Sequence, residues 1–262
     1  MKEKRAVPER SNLRLALAPF LDLCPEVVTL GVRPCLDDYS EQEVEWLRNA
    51  YRVFFPTRKY VDILHACQIP TFPCATTYRY QRSRLLQQLL FSYSDCPHPH
   101  SRIYYGQRQK ERILDHFKLP VLVMGTLNVP DTIHLIRHAA ELDRIINLQH
   151  SVIVRELVQF SERIQLVCVQ FEPIGALRLL EGQPSSITEP VSLDHASLTK
   201  PLAVTKQLLQ AARLDDVLIE WGNAGGSWQV IGMTRPPLKW PTPQGTMNRH
   251  HYICELIQSG AL

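Results

Sequence analysis

The stretch Asp215–Thr234, DDVLIEWGNAGGSWQVIGMT, reads as two apolar strands joined by a glycine-rich turn. Val217, Ile219 and Trp221 alternate with Leu218 and Glu220, the chain turns at Gly222-Asn223-Ala224-Gly225-Gly226, and Trp228, Val230 and Ile231 resume the apolar pattern. Alternation with period two on both sides of such a turn predicts an antiparallel hairpin. Past the opening aspartates, Glu220 is its acidic group. A carboxylate among apolar strands is costly to bury without a cation or a donor, so Glu220 belongs on an open face or in a site. Gly225-Gly226 lies between two strands rather than between a strand and a helix, which favours a tight turn over a phosphate cradle.

Upstream of the hairpin, Ser197–Ala212 has the spacing of a long amphipathic helix, and Gly182–Asp194 reads as loop. Ile164–Phe171 and Pro173–Leu180 read as paired strands that bend at Glu172-Pro173. Val152–Leu157 and Pro120–Gly125 are further strands, Gln107–His116 is a helix, and Asp131–Ile146 is a loop followed by a helix. Tyr80–Ser94 is helical, with Leu85, Leu86, Leu89, Leu90 and Phe91 on one side and Arg82, Arg84, Gln87 and Gln88 on the other. Before it, strand and helix alternate: Val27–Val32, a helix over Asp37–Tyr51 opened by the Ser40/Glu43 capping box, Arg52–Pro56, Tyr60–Gln68, and an extended Ile69–Pro73. That order predicts a small α/β lobe. Downstream, a proline-rich tail closes in a helix over Asn248–Ser259.

A chain of 262 residues with 45% hydrophobic residues has enough apolar surface for a substantial core. Its net charge of +3 is spread out, with basic patches at Lys2–Arg5, Arg79–Arg84 and Arg102–Arg112. Nucleic-acid binding needs clustered cations, so none is expected. Seven cysteines without a C-x-x-C pair, mostly inside apolar runs, fit a reducing compartment. The basic, then apolar start resembles a signal peptide, but Arg14 and Asp22 interrupt it and no small-residue cleavage site follows. The expectation is a cytoplasmic protein with no membrane partner.

Nucleophile-elbow, P-loop, dinucleotide and H-E-x-x-H motifs are absent. Cys96, His98 and His100 have metal-ligating side chains, yet prolines stiffen the segment and no fourth ligand stands at a usual spacing, so it reads as a connection. His250-His251 reads as a solvated tail pair rather than a ligand pair.

Several segments in order resemble the RimK-type ATP-grasp ligases: LGVRPCLDDYS (Leu30–Ser40), FFPTRKY (Phe54–Tyr60), TFPCATTYRY (Thr71–Tyr80), PHPHSRIYYGQRQKERILDHF (up to Phe117), IVRELV (Ile153–Val158), ERIQLVCV (Glu162–Val169) and the hairpin. The resemblance covers most of residues 30–240, each motif being weak alone and their order being the specific part. It implies an α+β, ATP-grasp fold: an N-terminal α/β lobe over 1–92, a small lobe over 93–150 and a C-terminal lobe over 151–262, the last two enclosing a nucleotide cleft. The implied cofactors are ATP and Mg2+, and the implied reaction joins a carboxylate to an amine through an acyl phosphate. Such chemistry uses cations to spread phosphoryl charge and carboxylates to hold magnesium.

By that resemblance Arg84 stands where the family has a phosphate-contacting lysine. Glu156 and Leu157 fall on the adenine-reading hinge, and Glu220 on the first metal carboxylate. The departures are as specific. Met124 replaces a lysine, and Thr126–Asp131 replaces a glycine-rich lid. Arg163 and Gln165 replace an aspartate and an arginine, and GQPSSI at Gly182–Ile187 replaces an Arg-Ser-Asn segment. Gly232 and Thr234 replace the second metal glutamate and an asparagine. Losing one transition-state charge contact costs about a hundredfold to a thousandfold in rate. Losing several predicts weakened or lost ATP and Mg2+ use, and a nucleotide-binding or scaffolding role beside a protein partner. The alternative is an active ligase with small-molecule carboxylate and amine substrates. Either reading is compatible with an oligomer.

Overall fold

The computed structural model describes residues 12–147, 149–180 and 188–262. The start before residue 12 and the GQPSSI segment therefore lie outside the described residues. The chain divides into two compact units, one comprising residues 1–78, 238–240 and 247–262 and the other residues 79–237 and 241–246.

The first unit begins with β1 (Arg14–Ala16), β2 (Val28–Thr29), α1 (Glu41–Asn49), β3 (Arg52–Phe54), α2 (Thr57–Ala66) and β4 (Thr71–Phe72). Its strands form a sheet of order β2-β1-β3-β4, and each neighbouring pair is parallel. Parallel neighbours need crossover connections, which α1 and α2 provide on either side of β3. Leu15, Leu17, Leu47, Val53, Tyr60 and Leu64 pack together as the core. The α/β pattern expected from sequence is present, with one correction: β1 precedes the strand expected to be first and occupies the middle of the sheet. Its run is short and broken by Arg14, so period two cannot emerge, yet Leu15, Ala16 and Leu17 are fully buried. The α1 capping box forms as expected, with Ser40 Oγ accepting from Glu43 N (3.3 Å) and Glu43 Oε2 accepting from Ser40 N (2.7 Å).

Helix α3 (Ala75–Arg82) leads out of this unit, and α4 (Arg84–Tyr93) follows. The single helix expected over Tyr80–Ser94 is thus two. Ser83 takes an extended conformation, pairs with Leu127 in an isolated bridge, and caps α4 by accepting from Leu86 N.

The second unit continues with β5 (Ser101–Tyr105), α5 (Gly106–Lys110), α6 (Ile113–His116), β6 (Val121–Gly125), β7 (Ile133–Ile136), α7 (Ala139–Ile146) and β8 (Ser151–Glu156). These strands form an antiparallel sheet of order β5-β8-β6-β7. One face buries Tyr104, Val121, Val123, Val152 and Val154 against Ile113, Leu142, Ile145 and Ile146 of the helices. Lys110 is buried here, its ammonium donating at 2.6 Å each to Ile146 O, at the end of α7 where carbonyls lack helical partners, and to Gln149 O beyond it. Ile133–Ile136, expected as loop, is the edge strand β7.

Next come β9 (Glu162–Val169), β10 (Glu172–Leu179), β11 (Thr188–Val191), α8 (Thr199–Ala211), β12 (Asp216–Ala224) and β13 (Ser227–Thr234). They build a second antiparallel sheet of order β11-β10-β9-β12-β13. Residues 188–191, expected as loop, form its edge strand, and the proline at 190 is tolerated at an edge. The hairpin forms as expected. Ala224 pairs with Ser227, leaving Gly225 and Gly226 as the turn at φ +59° and +86°, conformations that favour glycine. Val217, Ile219 and Trp221 point with Ile164, Leu166 and Cys168 into a core closed by Leu208 and Leu209 of α8. Trp221 Nε1 donates to Thr205 Oγ1 at 3.1 Å, satisfying a buried indole.

The chain ends with β14 (Lys239–Thr242), β15 (Gly245–Asn248) and α9 (Arg249–Gln258), which returns to the first unit. There His250 stacks on Phe20 with ring centroids 4.6 Å apart and meets Phe55 edge-on, so it is a packed residue and not the solvated tail expected. Among the described residues no helix is long and apolar enough to cross a membrane.

Candidate functional site

The two sheets of the second unit are joined through residues 157–161, between the end of β8 and the start of β9. On the second sheet, alternation sends Val217, Ile219 and Trp221 into the α8 core and leaves Leu218 and Glu220 on the opposite face. Across that face Glu220 pairs with Gln165 of β9 on one side and Gly232 of β13 on the other. The β12–β13 register shifts immediately after Glu220, and such an irregularity re-aims the side chain beside it.

The Glu220 carboxylate is already engaged. Arg163, one pleat along β9, donates from Nε to Glu220 Oε1 at 2.9 Å, and its Nη2 also donates to that oxygen. The pair is partly exposed, with 44% of the Arg163 side chain and 20% of the Glu220 side chain open. A fork of donors on an ionised oxygen is a charge-assisted contact, and a cation is thus supplied by the protein itself.

On the first sheet, Leu122 pairs with Arg155 and Met124 with Ile153, so these four share the face turned away from the helix-covered core. Met124 is buried. Arg155, on this same face and diagonal to Met124, ties the two sheets. Its Nη1 donates to Ile231 O of β13 at 2.8 Å and its Nε to Ser101 Oγ at 3.2 Å. Burial, and after it the nearby Arg84, push this guanidinium down to about 10, while Glu220 draws it up.

Arg84 spends its donors on the segment after β6. Nη1 donates to Leu127 O (2.7 Å) and Thr132 Oγ1 (2.8 Å), and Nη2 to Val129 O (2.8 Å), so the guanidinium staples the short segment that follows β6. Burial holds it below its ordinary value. Gly125 opens this segment with no room for a side chain, since an added Cβ would meet Thr132 Cβ at 2.9 Å.

Glu156 ends β8 with its side chain exposed. Its Oε1 accepts from His100 N and its own N donates to His100 O, both at 3.0 Å. It lies on the strand position opposite Val121, not on the Met124 face. Leu157 follows, 41% exposed, at the start of the connection between the sheets.

The outer edge of β13 is closed by donors and acceptors from several segments. Val230 N donates to Pro97 O (2.7 Å). Gln87 of α4 accepts from Met233 N (3.0 Å) and donates to Met233 O (2.8 Å), imitating a neighbouring strand. Asn128 Nδ2 donates to the same carbonyl at 3.1 Å. Close by, the Phe160 ring packs where a Cβ on Gly222 would stand, whereas a Cβ on Gly232 would meet only Gln87 Oε1, at 3.5 Å.

Of the residues singled out from sequence, Glu220, Gln165 and Gly232 therefore stand in one row with Arg163 beside them. Arg84 and Met124 flank the segment after β6, and Glu156 and Leu157 mark the connection. Arg155 escaped sequence reading although its signal is there: in VIVRE, Val152 and Val154 alternate with Ile153 and Arg155, placing a cation on the face opposite the valines.

No family model and no curated protein matches the chain in sequence. In three dimensions it is similar to the ADP complex of PurK, N5-carboxyaminoimidazole ribonucleotide synthetase, at TM-score 0.65 and 11% identity over 87% of this chain and 71% of that one. It is similar to a RimK domain ATP-grasp protein from Sphaerobacter thermophilus at TM-score 0.64 and 14% identity, over 85% and 90% of the two chains. A third likeness is to D-alanine–D-alanine ligase from Bacillus anthracis complexed with ATP, at TM-score 0.63 and 10% identity over 86% and 87%. At such identities the likeness is one of fold, and the chain has the ATP-grasp fold.

Proposed function

We propose that this chain has left magnesium-dependent ligation and uses its ATP-grasp frame as a nucleotide-binding or scaffolding protein. The observation that carries the reading is the row Gln165–Glu220–Gly232, whose single carboxylate is held by Arg163. A divalent ion bridging phosphates is usually held through one or two carboxylates plus substrate oxygens. Here a guanidinium takes the carboxylate's charge, and a glycine faces it where a second acid would share the metal. Met124 brings no charge to the cleft face, and Arg84's donors point at carbonyls. ATP is the nucleotide to expect, since fold relatives are solved with ADP and ATP.

The test is a turnover assay with ATP and magnesium across a panel of small carboxylates and amines, read as ADP release. The reading expects no release above the level of a Glu220→Ala variant. Amine-dependent ADP release that this variant abolishes would overturn it.

A second reading, an active carboxylate–amine ligase proceeding through an acyl phosphate, is favoured by one observation. Arg155 stands on the cleft face diagonal to Met124 and offers a substitute cation. It expects ADP release that falls in Arg155→Met as well as in Glu220→Ala.

A further inference from the structure

The first unit brings together side chains that neither reading uses. Cys24 and Glu26 lie on the loop after β1, and Cys254 lies on α9. Their ligand atoms all fall within 4.8 Å of one another, and Cys24 Sγ is 3.5 Å from Glu26 Oε2. Cys24 is buried, Cys254 half-buried and Glu26 exposed, so the cluster reaches from core to surface. The two thiols also line a cavity of about 580 Å3 with Phe20, Lys239, His250 and His251.

From this arrangement we propose that Cys24, Cys254 and Glu26 form a binding site for a soft divalent cation of the zinc type, with its fourth position open to the cavity.

The geometry fits without rebuilding the fold. Zinc bonds of about 2.3 Å to sulfur and about 2.0 Å to oxygen set tetrahedral ligand atoms roughly 3.5–3.8 Å apart. The cysteine–glutamate spacing already meets this, and the remaining spacings, at most 4.8 Å, close by side-chain rotation. Two sulfurs and one oxygen are the donors zinc prefers over calcium or magnesium, which take oxygen ligands almost exclusively. On binding, each thiol releases its proton to solvent as its sulfur takes the metal, and Glu26 binds as the carboxylate. The resulting charge of two thiolates and a carboxylate exceeds that of the ion by one, and Lys239 on the cavity wall offsets it. The open position leaves room for water or an imidazole, and His250 and His251 stand on the same wall. The ion would also clamp the loop after β1 to α9.

The experiment is a titration of the reduced full-length chain with Co2+, which reports thiolate coordination through a near-ultraviolet charge-transfer band. The proposal expects one saturating site with that band and displacement of cobalt by Zn2+. Cys254→Ser should weaken binding by about tenfold or more with loss of band intensity, as expected for removing a ligand. Glu26→Gln should weaken binding while keeping the band, and Cys67→Ser, an exposed cysteine outside the cluster, should change neither. Because Cys24 is buried and its replacement could disturb folding, the half-buried Cys254 and the exposed Glu26 carry the test. No charge-transfer band in the reduced chain, or a band unchanged in Cys254→Ser, would overturn the proposal.

Discussion

Arg163 and Glu220 sit on adjacent antiparallel strands, one pleat out of direct register, and the Arg163 Nε donates to Glu220 Oε1 across 2.9 Å. Direct opposition in that sheet joins Glu220 to Gln165 and Arg163 to Gly222. The ion pair is therefore diagonal, a geometry that long side chains reach easily across a sheet. It gives the acidic position of the hairpin a cationic partner from the protein itself.

A partly exposed pair adds little to stability, since solvent and salt screen it. Arg163→Ala should lower unfolding free energy by no more than about 1 kcal/mol, less at high salt. Denaturant titrations at two ionic strengths check this. A larger, salt-independent loss would mean that Arg163 is a packing residue and not chiefly a charge partner.

Gln87 should matter far more. Both halves of its amide pair with the Met233 backbone, and it donates also to Tyr80 O at 2.7 Å, in a buried setting. Gln87→Ala leaves the buried Met233 N–H partnerless, its carbonyl keeping only Asn128, and should cost about 1–3 kcal/mol. Gln87→Glu should be no better, because a carboxylate cannot donate to Met233 O. Equilibrium unfolding of both variants measures the loss.

The two glycines of the hairpin face should respond oppositely. Gly222→Ala forces a Cβ into the Phe160 ring and should destabilise by about 1–3 kcal/mol, with partial recovery when Phe160→Ala is added. Gly232→Ala meets only a 3.5 Å contact and should shift stability by less than about 1 kcal/mol. Thermal melts of the three variants decide it. The same space matters chemically, for it means the glycine opposite Glu220 is not enforced by crowding.

Acid should act on the first unit through Glu43. Its carboxyl is held below its ordinary value by the Ser40 N–H first and by Arg33 second. A carboxyl depressed in the folded state contributes stability that is present above its ordinary value of 4.5 and lost as pH falls through the lower folded value. Wild type should therefore lose stability more steeply than Glu43→Gln as pH falls below 4.5. Denaturation midpoints across that range, compared between the two proteins, provide the check.

What the sequence disclosed follows the reach of each signal. The hairpin was legible because alternation and a Gly-Gly turn are local and agree. Helix α1 was legible because Ser40 and Glu43 satisfy each other within one turn. Strand β1 was not, since a three-residue strand in the middle of a parallel sheet is defined by its neighbours, Val28 and Val53, both distant in sequence. Pro190 and Pro241 disguised β11 and β14, because proline argues against a strand unless the strand is known to be an edge. The break at Ser83 arises from its bridge to Leu127, a tertiary contact. In the site, the position of Glu220 was legible from the hairpin alone. Its occupation by Arg163 depends on the β9–β12 register, and the tie from Arg155 to Ile231 depends on how one sheet meets the other. No periodicity encodes either.

The central claim, that the cleft no longer holds a magnesium-bridged nucleotide, is tested most directly by calorimetric titration of ATP into the chain with magnesium and then with magnesium chelated. The account predicts that any ATP affinity is the same in both conditions and unchanged in Glu220→Ala. Tight binding that requires magnesium and disappears in Glu220→Ala would contradict it.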